Sequence, residues 1–342
     1  MKYLKELCLL NGISGDESDI RNYIISKISD KCTYSIDALG NIIALRKGKK
    51  TPEKKLMICA HMDEVGFIVT AINSDGTLLF DTVGGIDTSV ISGKRVTVGK
   101  NKIKGVIGSL PVHRLSADER KKFPKISSMY IDTGFCSKDE AEKYIRLGDC
   151  IYFDSEYIGF GENLIKSKAI DDRAGCSIML ELIEKEHEFD TWYVFNVQEE
   201  IGLRGSGVSA FSVNPDFAIV LESTTASDID GVSGAKRVCE LGKGAVVSYM
   251  DRSTMYNRDL YNLAFDTARE NNIKIQTKTV VAGGNDSGAI HISGNGVKTM
   301  AISLPCRYLH SPSCVIKSDD YSEALKLADI LRNKVLADDK AY

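Results

Sequence analysis

Two pairs of adjacent acidic residues are the features of this chain that point most directly to chemistry. Asp171-Asp172 lies in KAIDDRAGC, and Glu199-Glu200 lies in NVQEEIGLRGS. Adjacent carboxylates repel each other, and burying either of them unpaired is costly. Each pair adjoins an apolar segment, SIMLELI after the first and YVFNV before the second, so solvent screens these charges poorly. We therefore expect a cation here, and a divalent metal ion is the simplest candidate.

Three further groups share this setting, because each follows an apolar segment that is typical of a buried strand. His61 follows LMICA, Glu222 follows FAIVL, and His310 lies in the loop after KTMAISL. The pair Glu199-Glu200 follows WYVFNV in the same way. In open α/β sheets, binding sites form at the carboxyl ends of the strands. The sequence therefore predicts one shared site rather than five unrelated polar positions.

Each of these signals also has a purely structural explanation. The aspartate pair could act only as a helix N-cap, and the glutamate pair could be solvated in a loop. Glu222 could pair with a lysine, and His310 could be an ordinary loop histidine. All of these explanations would have to hold together, each at a strand end or a helix start. A common site accounts for the same placement with a single assumption.

The residue types indicate which ion such a site would bind. Two histidines and four carboxylates without clustered cysteines are typical ligands of zinc, cobalt or manganese. Two metal ions roughly 3.5–4 Å apart need a bridging carboxylate, which one member of the aspartate pair can supply. Of Glu199 and Glu200, one can bind metal while the other stays free as a general base. Asp63 is suited to accept a hydrogen bond from the second ring nitrogen of His61 and so to fix its tautomer.

The segments around these residues predict an α/β domain with an insertion. Helix patterns cover the start of the chain and residues 19–29, 257–270 and 320–336. From about residue 67 to residue 160, short β-prone stretches alternate with Gly, Asn and Asp, which is typical of a small all-β module. Helices and apolar strands alternate again from residue 161, as in a βαβ sheet. We predict a discontinuous catalytic domain, residues 1–66 and 161–342, and an inserted domain, residues 67–160.

The composition of the chain excludes several classes of partner. Its 342 residues include 44 basic and 47 acidic side chains, a net charge of −3, which gives no case for binding nucleic acid or an anionic membrane. No apolar run approaches the roughly 18 residues that span a bilayer, and the N-terminal segment lacks the pattern of a signal peptide. The nine cysteines contain no CxxC pair, so we expect reduced, buried thiols and a cytoplasmic location.

At these residues the chain closely resembles the M42 family of metallo-aminopeptidases. The resemblance rests on AHMDEVGFIV, IDTGF, KAIDDRAGC, QEEIGLRGS, GGNDSGAIH and PCRYLHSP in that order, and it covers essentially the whole chain. The family includes glutamyl aminopeptidases and tetrahedral self-compartmentalising peptidases, and some members carried the label endoglucanase. It implies a zinc-peptidase fold, in which a mixed, largely parallel sheet is flanked by helices.

The resemblance also implies a role for each candidate residue. His61 and Glu200 are implied as terminal ligands of two divalent metal ions, zinc or cobalt before manganese. Asp171 is implied as the bridging ligand and Glu199 as the general base. The remaining roles are implied for Glu222 and His310 as further ligands, for Asp63 as the residue that orients His61, and for Asp172 as support of the bridge through the backbone bend. This chain departs from many relatives at Glu222, where they carry Asp, and at Asn285-Asp286-Ser287.

The expected activity is removal of N-terminal residues from peptides with a free N-terminus, by metal-activated water with Glu199 as base. The family further implies that residues 67–160 form a PDZ-like domain that assembles homo-oligomers, from dimers to dodecamers. Three alternatives remain open: a metal-dependent deacylase or carboxypeptidase on the same site, a glycosidase that uses two carboxylates without metal, and a catalytically silent assembly protein. The preferred N-terminal residue does not follow from the sequence.

Overall fold

The computed structural model describes residues 1–337, with Glu119 described by its backbone only, and its centre is an eight-stranded sheet. In spatial order the strands are β1 (Thr33–Ile36), β2 (Ile42–Arg46), β12 (Thr191–Asn196), β3 (Leu56–His61), β13 (Phe217–Thr225), β16 (Lys298–Cys306), β14 (Ala245–Val247) and β15 (Ile275–Thr277). The four strands β12, β3, β13 and β16 are parallel to their neighbours within this group. Their carboxyl ends therefore lie along one edge of the sheet, where the sequence placed the candidate site.

Helices cover both faces of this sheet. They are α1 (Leu4–Leu9), α2 (Ser18–Ile28), α4 (Ile170–Glu184), α5 (Arg204–Val213), α6 (Arg258–Glu270), α7 (Ser287–Ile290) and α8 (Ser318–Ala337). All six residues of β3 are buried, as expected for a parallel strand that is covered on both sides. Its side chains alternate between the faces: Ile58 packs in a cluster with residues of α4 and α8, and Cys59 packs with Ala210 and Val213 of α5.

Six antiparallel strands form a separate closed barrel. They are β4 (Gly66–Ile72), β5 (Leu78–Val83), β6 (Arg95–Val98), β7 (Ile103–Ser109), β8 (Met129–Asp132) and β9 (Cys150–Phe153), in the order β4-β5-β8-β7-β6-β9. The short helix α3 (Lys138–Ala141) contributes Ala141 to the core of the barrel. At the centre of that core, the ring of Phe67 lies 5.2 Å from the rings of both Phe80 and Phe153. A closed barrel leaves no unpaired strand edge within it.

A third sheet contains β10 (Ile158–Phe160), β11 (Leu164–Ser167) and β17 (Cys314–Lys317). The mixed sheet flanked by helices and the small β-barrel confirm the predicted α/β class with a β-rich module. The PDZ-like character of that module and its boundaries at residues 67 and 160 stay predictions.

No helix within residues 1–337 is long and apolar enough to cross a membrane. All nine cysteines are free, and seven of them are buried.

Three details differ from the sequence expectations. The strand that carries Glu222 does not end there but continues to Thr225, so Glu222 projects from within β13. Strand β16 likewise continues beyond KTMAISL to Cys306. Asp171 and Asp172 precede the regular turns of α4, because both have non-helical backbone angles. The two strands continue together, because the pairing of β13 with β16 extends to Thr225 and Cys306.

Candidate active site

The carboxylate of Asp171 lies between two histidine rings. Its Oδ1 is 3.4 Å from Nε2 of His61, and its Oδ2 is 3.3 Å from Nε2 of His310. Each histidine faces a second carboxylate: Glu222 Oε1 lies 3.5 Å from Nε2 of His61, and Glu200 Oε2 lies 3.5 Å from Nε2 of His310. The five side chains thus form two groups of three that share Asp171.

The two neighbouring aspartates at the start of α4 direct their side chains to different partners. The peptide bond between them is cis, and the backbone of both residues is non-helical. Asp172 Oδ1 accepts a hydrogen bond from the backbone N–H of Gly175 at 2.9 Å, so Asp172 caps the helix. The carboxylate of Asp171 is directed instead toward the two histidines. The N-cap explanation therefore applies to Asp172 and leaves Asp171 available to the site.

The barrel contributes directly to the position of His310. This residue lies in the loop between β16 and β17, with a φ of 57°. Its Nδ1 lies 2.8 Å from the carbonyl oxygen of Gly85, a residue that follows β5. Because a carbonyl can only accept, Nδ1 carries a proton, and Nε2 is the ring nitrogen that faces the carboxylates. A contact between the barrel and the α/β domain thus fixes the tautomer of this histidine.

Asp63 connects His61 to the turn that bears the two glutamates. The Nδ1 of His61 lies 3.2 Å from the carbonyl oxygen and 3.4 Å from the Oδ1 of Asp63. The same carboxylate accepts hydrogen bonds from the backbone N–H of Glu199 at 3.0 Å and of Glu200 at 3.1 Å, and from the hydroxyl of Ser14 at 2.6 Å. A single buried aspartate therefore orients both a histidine and a backbone turn.

A second buried carboxylate, which precedes α2 and bonds to this turn, was not identified in the sequence analysis. Glu17 accepts hydrogen bonds from the backbone N–H of Gly15 at 2.8 Å and of Gln198 at 3.3 Å. Only 3% of its surface is exposed. Gln198 has a positive φ of 56°, a conformation that is uncommon for a residue other than glycine. The sole local signal was an acidic residue after a glycine in ISGDES, which equally suits an exposed turn before α2.

The electrostatics of the site reflect the crowding of buried carboxylates. Burial raises the pKa of Glu199 well above its ordinary value, and neighbouring carboxylates add to this effect. Burial raises the pKa of Glu200 and of Glu222 to about 8. The pKa of Asp171 is lowered, because contacts with two histidine rings outweigh its burial. Burial disfavours protonation of His310, but Asp171 and Glu200 reverse this and raise its pKa to about 10. A positive charge placed among these carboxylates therefore stabilises their ionised form.

The donor set fits divalent metal ions. In a tetrahedral zinc site with bonds of about 2.0–2.1 Å, neighbouring ligand atoms lie roughly 3.3–3.4 Å apart. The four histidine–carboxylate separations described above span 3.3–3.5 Å. In addition, Asp171 Oδ1 and Glu200 Oε1 are buried and have no hydrogen-bond donor among the described residues. Nitrogen and carboxylate ligands without thiolates suit zinc, cobalt or manganese.

These residues line one cavity of about 350 Å³. The six predicted side chains at its wall are His61, Asp171, Glu199, Glu200, Glu222 and His310. The cavity extends past them to residues of β13, β16 and the segment after β15. A concave site with converging polar groups at the carboxyl ends of parallel strands is where α/β enzymes place their chemistry.

The fold and the site together define an α/β enzyme with a histidine–carboxylate centre of the metal-binding kind. Residues 40–327 match the family model described as M42 glutamyl aminopeptidase. The chain belongs to this family, as the sequence resemblance predicted, and it is a hydrolase that acts on peptides.

The relatives with curated names are also aminopeptidases. A putative aminopeptidase of Acetivibrio thermocellus is 38% identical over 328 residues, which cover 95% of this chain and 96% of the relative. The glutamyl aminopeptidase of Lactococcus lactis is 35% identical, with 94% of this chain and 92% of the relative covered. The lysyl aminopeptidase of Pyrococcus furiosus is 33% identical, with 96% and 95% covered.

Solved structures give the same result for the fold. A TET aminopeptidase from a marine sediment member of the Thaumarchaeota superposes with a TM-score of 0.92 at 33% identity, covering 97% of this chain and 95% of that chain. The TET1 peptidase of Pyrococcus horikoshii, described as assembling into a tetrahedron or a large octahedral shell, superposes with a TM-score of 0.85 at 33% identity, covering 96% and 98%.

Proposed function

We propose that this protein is a binuclear metal-dependent aminopeptidase that hydrolyses N-terminal residues from peptides with a free N-terminus. The observation that carries the proposal is the placement of Asp171, whose two carboxylate oxygens face the Nε2 atoms of two different histidines. One carboxylate between two histidine–carboxylate groups is the arrangement that a bridged pair of metal ions requires. The family and the names of the relatives support peptides as the substrates.

In this proposal the five residues of the two groups hold the ions. Asp171 bridges, His61 and Glu222 complete one position, and His310 and Glu200 complete the other. Zinc or cobalt suits these ligands best, and manganese is acceptable. The proximity of His61, Glu199 and Glu200 is also compatible with metal binding. We assign Glu199 to catalysis, since the five other residues already supply two complete groups.

The reaction needs a proton acceptor close to the ions. Divalent ions in such a site act as Lewis acids and lower the pKa of water from about 15.7 toward 7. Glu199 accepts the proton of the attacking water and later donates it to the leaving amine. Its burial, which raises its pKa, suits a group that must both take and return a proton. Asp63 holds the backbone of Glu199 in place during both steps.

Assembly and domain organisation belong to the same proposal. The segment between β7 and β8 exposes three large apolar side chains, Leu110, Val112 and Phe123, by 53%, 66% and 72%. Exposed apolar groups clustered on one segment are typical of a protein interface. We infer that the inserted domain of residues 67–160 assembles a cytoplasmic homo-oligomer, from dimer to dodecamer. Native mass spectrometry should give a mass above that of one 37.5 kDa chain, and a monomer at micromolar concentration would contradict the inference.

The decisive experiment compares a free peptide with its N-acetylated twin. Each is incubated with purified, metal-loaded protein, and mass spectrometry follows the products. We expect an N-terminal ladder from the free peptide alone, abolished by a chelator. Cleavage of the acetylated twin would favour the deacylase alternative, and cleavage of glycosides that resists chelation would favour a glycosidase. No cleavage of either peptide with two metals bound would reject the proposed function.

The role of Glu199 is tested separately. Glu199→Gln should keep both metal ions, because the ligand set is intact, yet lower kcat at least about 100-fold through loss of the general base. Metal content by mass spectrometry and steady-state kinetics measure the two properties together. Glu162→Gln, a change at an exposed glutamate, is the matched control. Turnover of Glu199→Gln at the wild-type rate would remove this residue from the role.

A further inference from the structure

A five-residue segment near the N-terminus lies between the barrel and the turn that bears the two glutamates. This connecting segment, residues 13–17, joins helices α1 and α2 and has the sequence ISGDE. It forms hydrogen bonds toward the site on one side and toward the barrel on the other. We propose that Tyr152 of strand β9, which binds Asp16 of this segment, is a positioning residue for catalysis and acts through the segment on the backbone of Glu199.

On the side of the site, the connecting segment holds the turn by two contacts. The hydroxyl of Ser14 donates to the Asp63 carboxylate at 2.6 Å, and the same carboxylate accepts the N–H of Glu199 at 3.0 Å. The carboxylate of Glu17 accepts the N–H of Gln198 at 3.3 Å. A shift of the connecting segment therefore moves both acceptors of the turn, and Glu199 moves with them.

On the side of the barrel, the connecting segment is attached by one polar and one apolar contact. The hydroxyl of Tyr152 donates a hydrogen bond to Oδ2 of Asp16. Hydrogen bonds to a carboxylate are roughly twice as strong as those between neutral groups. Ile13 packs directly on the first residue of β4, since a Cβ placed on Gly66 would overlap Cγ2 of Ile13. The segment is thus anchored to two strands of the barrel.

Tyr152 is a rigid anchor for this contact. Its neighbours Ile151 and Phe153 belong to the barrel core, so the alternation of a strand directs Tyr152 outward, toward Asp16. Strand β9 pairs with β4 on one side and with β6 on the other, which fixes its backbone. A tyrosine side chain has only two rotatable χ angles, so holding it in one position costs little entropy.

The hydroxyl of Tyr152 remains a hydrogen-bond donor at neutral pH. Only 5% of the residue is exposed. Burial, together with the neighbouring Asp16 carboxylate, raises the pKa of Tyr152 well above the ordinary value near 10. The phenol therefore keeps its proton, and the contact with Asp16 does not depend on pH in the neutral range.

This contact is separate from the one by which the barrel orients a histidine. The carbonyl oxygen of Gly85, after β5, lies 2.8 Å from Nδ1 of His310, whereas Tyr152 lies on β9 and acts on the backbone of the proposed base. Loss of the Tyr152 hydroxyl should therefore leave the metal ligands in place and affect turnover alone. The inference rests on the proposed aminopeptidase function and deepens it, because it adds a residue of the inserted domain to the catalytic apparatus.

Removing the hydroxyl alone tests the role of Tyr152. Tyr152→Phe keeps the ring but leaves Asp16 without this donor. With metal-loaded protein and a peptide with a free N-terminus, we expect kcat to fall roughly 10-fold, with KM and metal content nearly unchanged, since a displacement of 1 Å can cost about 100-fold. Asp16→Ala should match this loss, and Asp16→Asn, which keeps an acceptor oxygen, should stay close to the wild type. Tyr144→Phe, at an exposed tyrosine of the inserted domain, should change nothing.

Hydrogen–deuterium exchange reports on the turn without any substrate. The three N–H groups of residues 198–200 donate to the two buried carboxylates that the connecting segment holds. We expect these groups to exchange faster in Tyr152→Phe than in the wild type, because local opening of the turn becomes easier. Exchange within strand β12 should be equal in the two proteins.

A double variant tests whether Tyr152 acts through the connecting segment. The loss of kcat in Tyr152→Phe/Glu17→Ala should be smaller than the product of the two single losses, because both changes act on one segment. A loss equal to that product would reject the segment as the route. A fall in kcat of Tyr152→Phe without faster exchange at residues 198–200 would reject it as well.

The remaining outcomes separate this inference from the proposed function. An active wild type with unchanged kcat and unchanged exchange in Tyr152→Phe would overturn the positioning role alone. A loss of stability in that variant without either change would leave Tyr152 with a structural role only and would also overturn the inference. Failure of the wild type to cleave any peptide would reject the proposed function itself, and faster exchange in such a protein would then describe a structural contact.

Discussion

At the scale of single residues, two buried carboxylates hold the backbone that carries Glu199 and Glu200. Three successive N–H groups, those of Gln198, Glu199 and Glu200, donate to Glu17 or Asp63. Hydrogen bonds to an ionised acceptor are roughly twice as strong as neutral ones. The position of a base relative to its substrate is sensitive, since a displacement of 1 Å can cost about 100-fold in rate. Residues that never touch substrate therefore matter for turnover.

Glu17 tests this argument most directly. Glu17→Ala removes the acceptor for Gln198, so the turn can relax and kcat should fall about 10- to 100-fold with KM nearly unchanged. Glu17→Gln keeps an acceptor oxygen and should restore most of kcat. Steady-state kinetics with metal content measured in parallel provide the check. A fall in stability of Glu17→Ala without a change in kcat would contradict this argument. Equal decreases in kcat for Glu17→Ala and Glu17→Gln would contradict it as well, and either result would leave Glu17 with a structural role only.

Sequence reasoning predicted the residues of the candidate centre and one of their supports, Asp63, but it did not predict Glu17. His61, Glu200 and Glu222 could be predicted because each follows an apolar segment, and parallel strands bring their carboxyl ends to one edge. Glu17 could not, because its bond to Gln198 joins positions 181 residues apart. Tertiary contacts that lack a periodic pattern leave no trace in a single sequence.

At the scale of elements, the structure follows the predicted helices and strands closely. Helix α6 begins at Arg258, where the side chain of Asn257 accepts a hydrogen bond from the N–H of Leu260 as an N-cap. The short β-prone stretches of the insertion correspond to the six strands of the barrel. The third sheet was not foreseen, because β10 has only three residues and all of them are exposed. Such a strand has no alternating pattern to reveal it.

A histidine in the segment after α4 makes stability depend on pH. His187 lies after this helix, and its Nε2 accepts a hydrogen bond from the hydroxyl of Tyr193 at 2.8 Å. Burial, with a contribution from Arg332, lowers the pKa of His187 to about 4. The unfolded chain, with an ordinary histidine pKa near 6.5, binds the proton first. Stability from this group is therefore present above about pH 6.5 and is lost as the pH falls toward 4.

Replacing His187 by a residue that does not bind a proton in this pH range tests the assignment. The free energy of unfolding of His187→Gln should fall less than that of the wild type between about pH 7 and pH 4.5, because a neutral amide takes up no proton. Urea unfolding at both pH values measures this difference. His113→Gln, at an exposed histidine, should follow the wild type. Parallel pH dependences for His187→Gln and the wild type would contradict the assignment.

At the scale of the whole molecule, a buried ion cluster joins the N-terminal segment to the rest of the fold. Glu64 accepts two hydrogen bonds from Lys168, at 2.6 and 2.9 Å, and one from Arg173 at 3.4 Å. Arg173 is fully buried and also donates to the carbonyl oxygens of Leu7 and Gly12, both at 3.1 Å. The first helix, α4 and the link between β3 and β4 therefore share one network.

Breaking this network should destabilise the protein strongly. Arg173→Met leaves Glu64 with less compensating charge and removes the guanidinium donor from the carbonyl groups of Leu7 and Gly12, so the free energy of unfolding should fall by about 3–5 kcal/mol. Arg269→Met, which removes only an exposed ion pair with Asp266, should cost less than about 1 kcal/mol. Urea unfolding of the two variants compares them. Equal decreases in the free energy of unfolding would show that the buried cluster stabilises the protein no more than an exposed ion pair does.

The order of strands in the central sheet has a consequence for biosynthesis. Both neighbours of β3 in the sheet, β12 and β13, follow the barrel in the chain. About 130 residues separate the end of β3 at His61 from the start of β12 at Thr191. At roughly 5–20 residues per second, a ribosome needs on the order of ten seconds to make that stretch. During this interval the strand LMICAH leaves the exit tunnel without a pairing partner, while the barrel behind it can already close. A nascent chain of this protein therefore exposes a fully buried strand for several seconds before its partners are made.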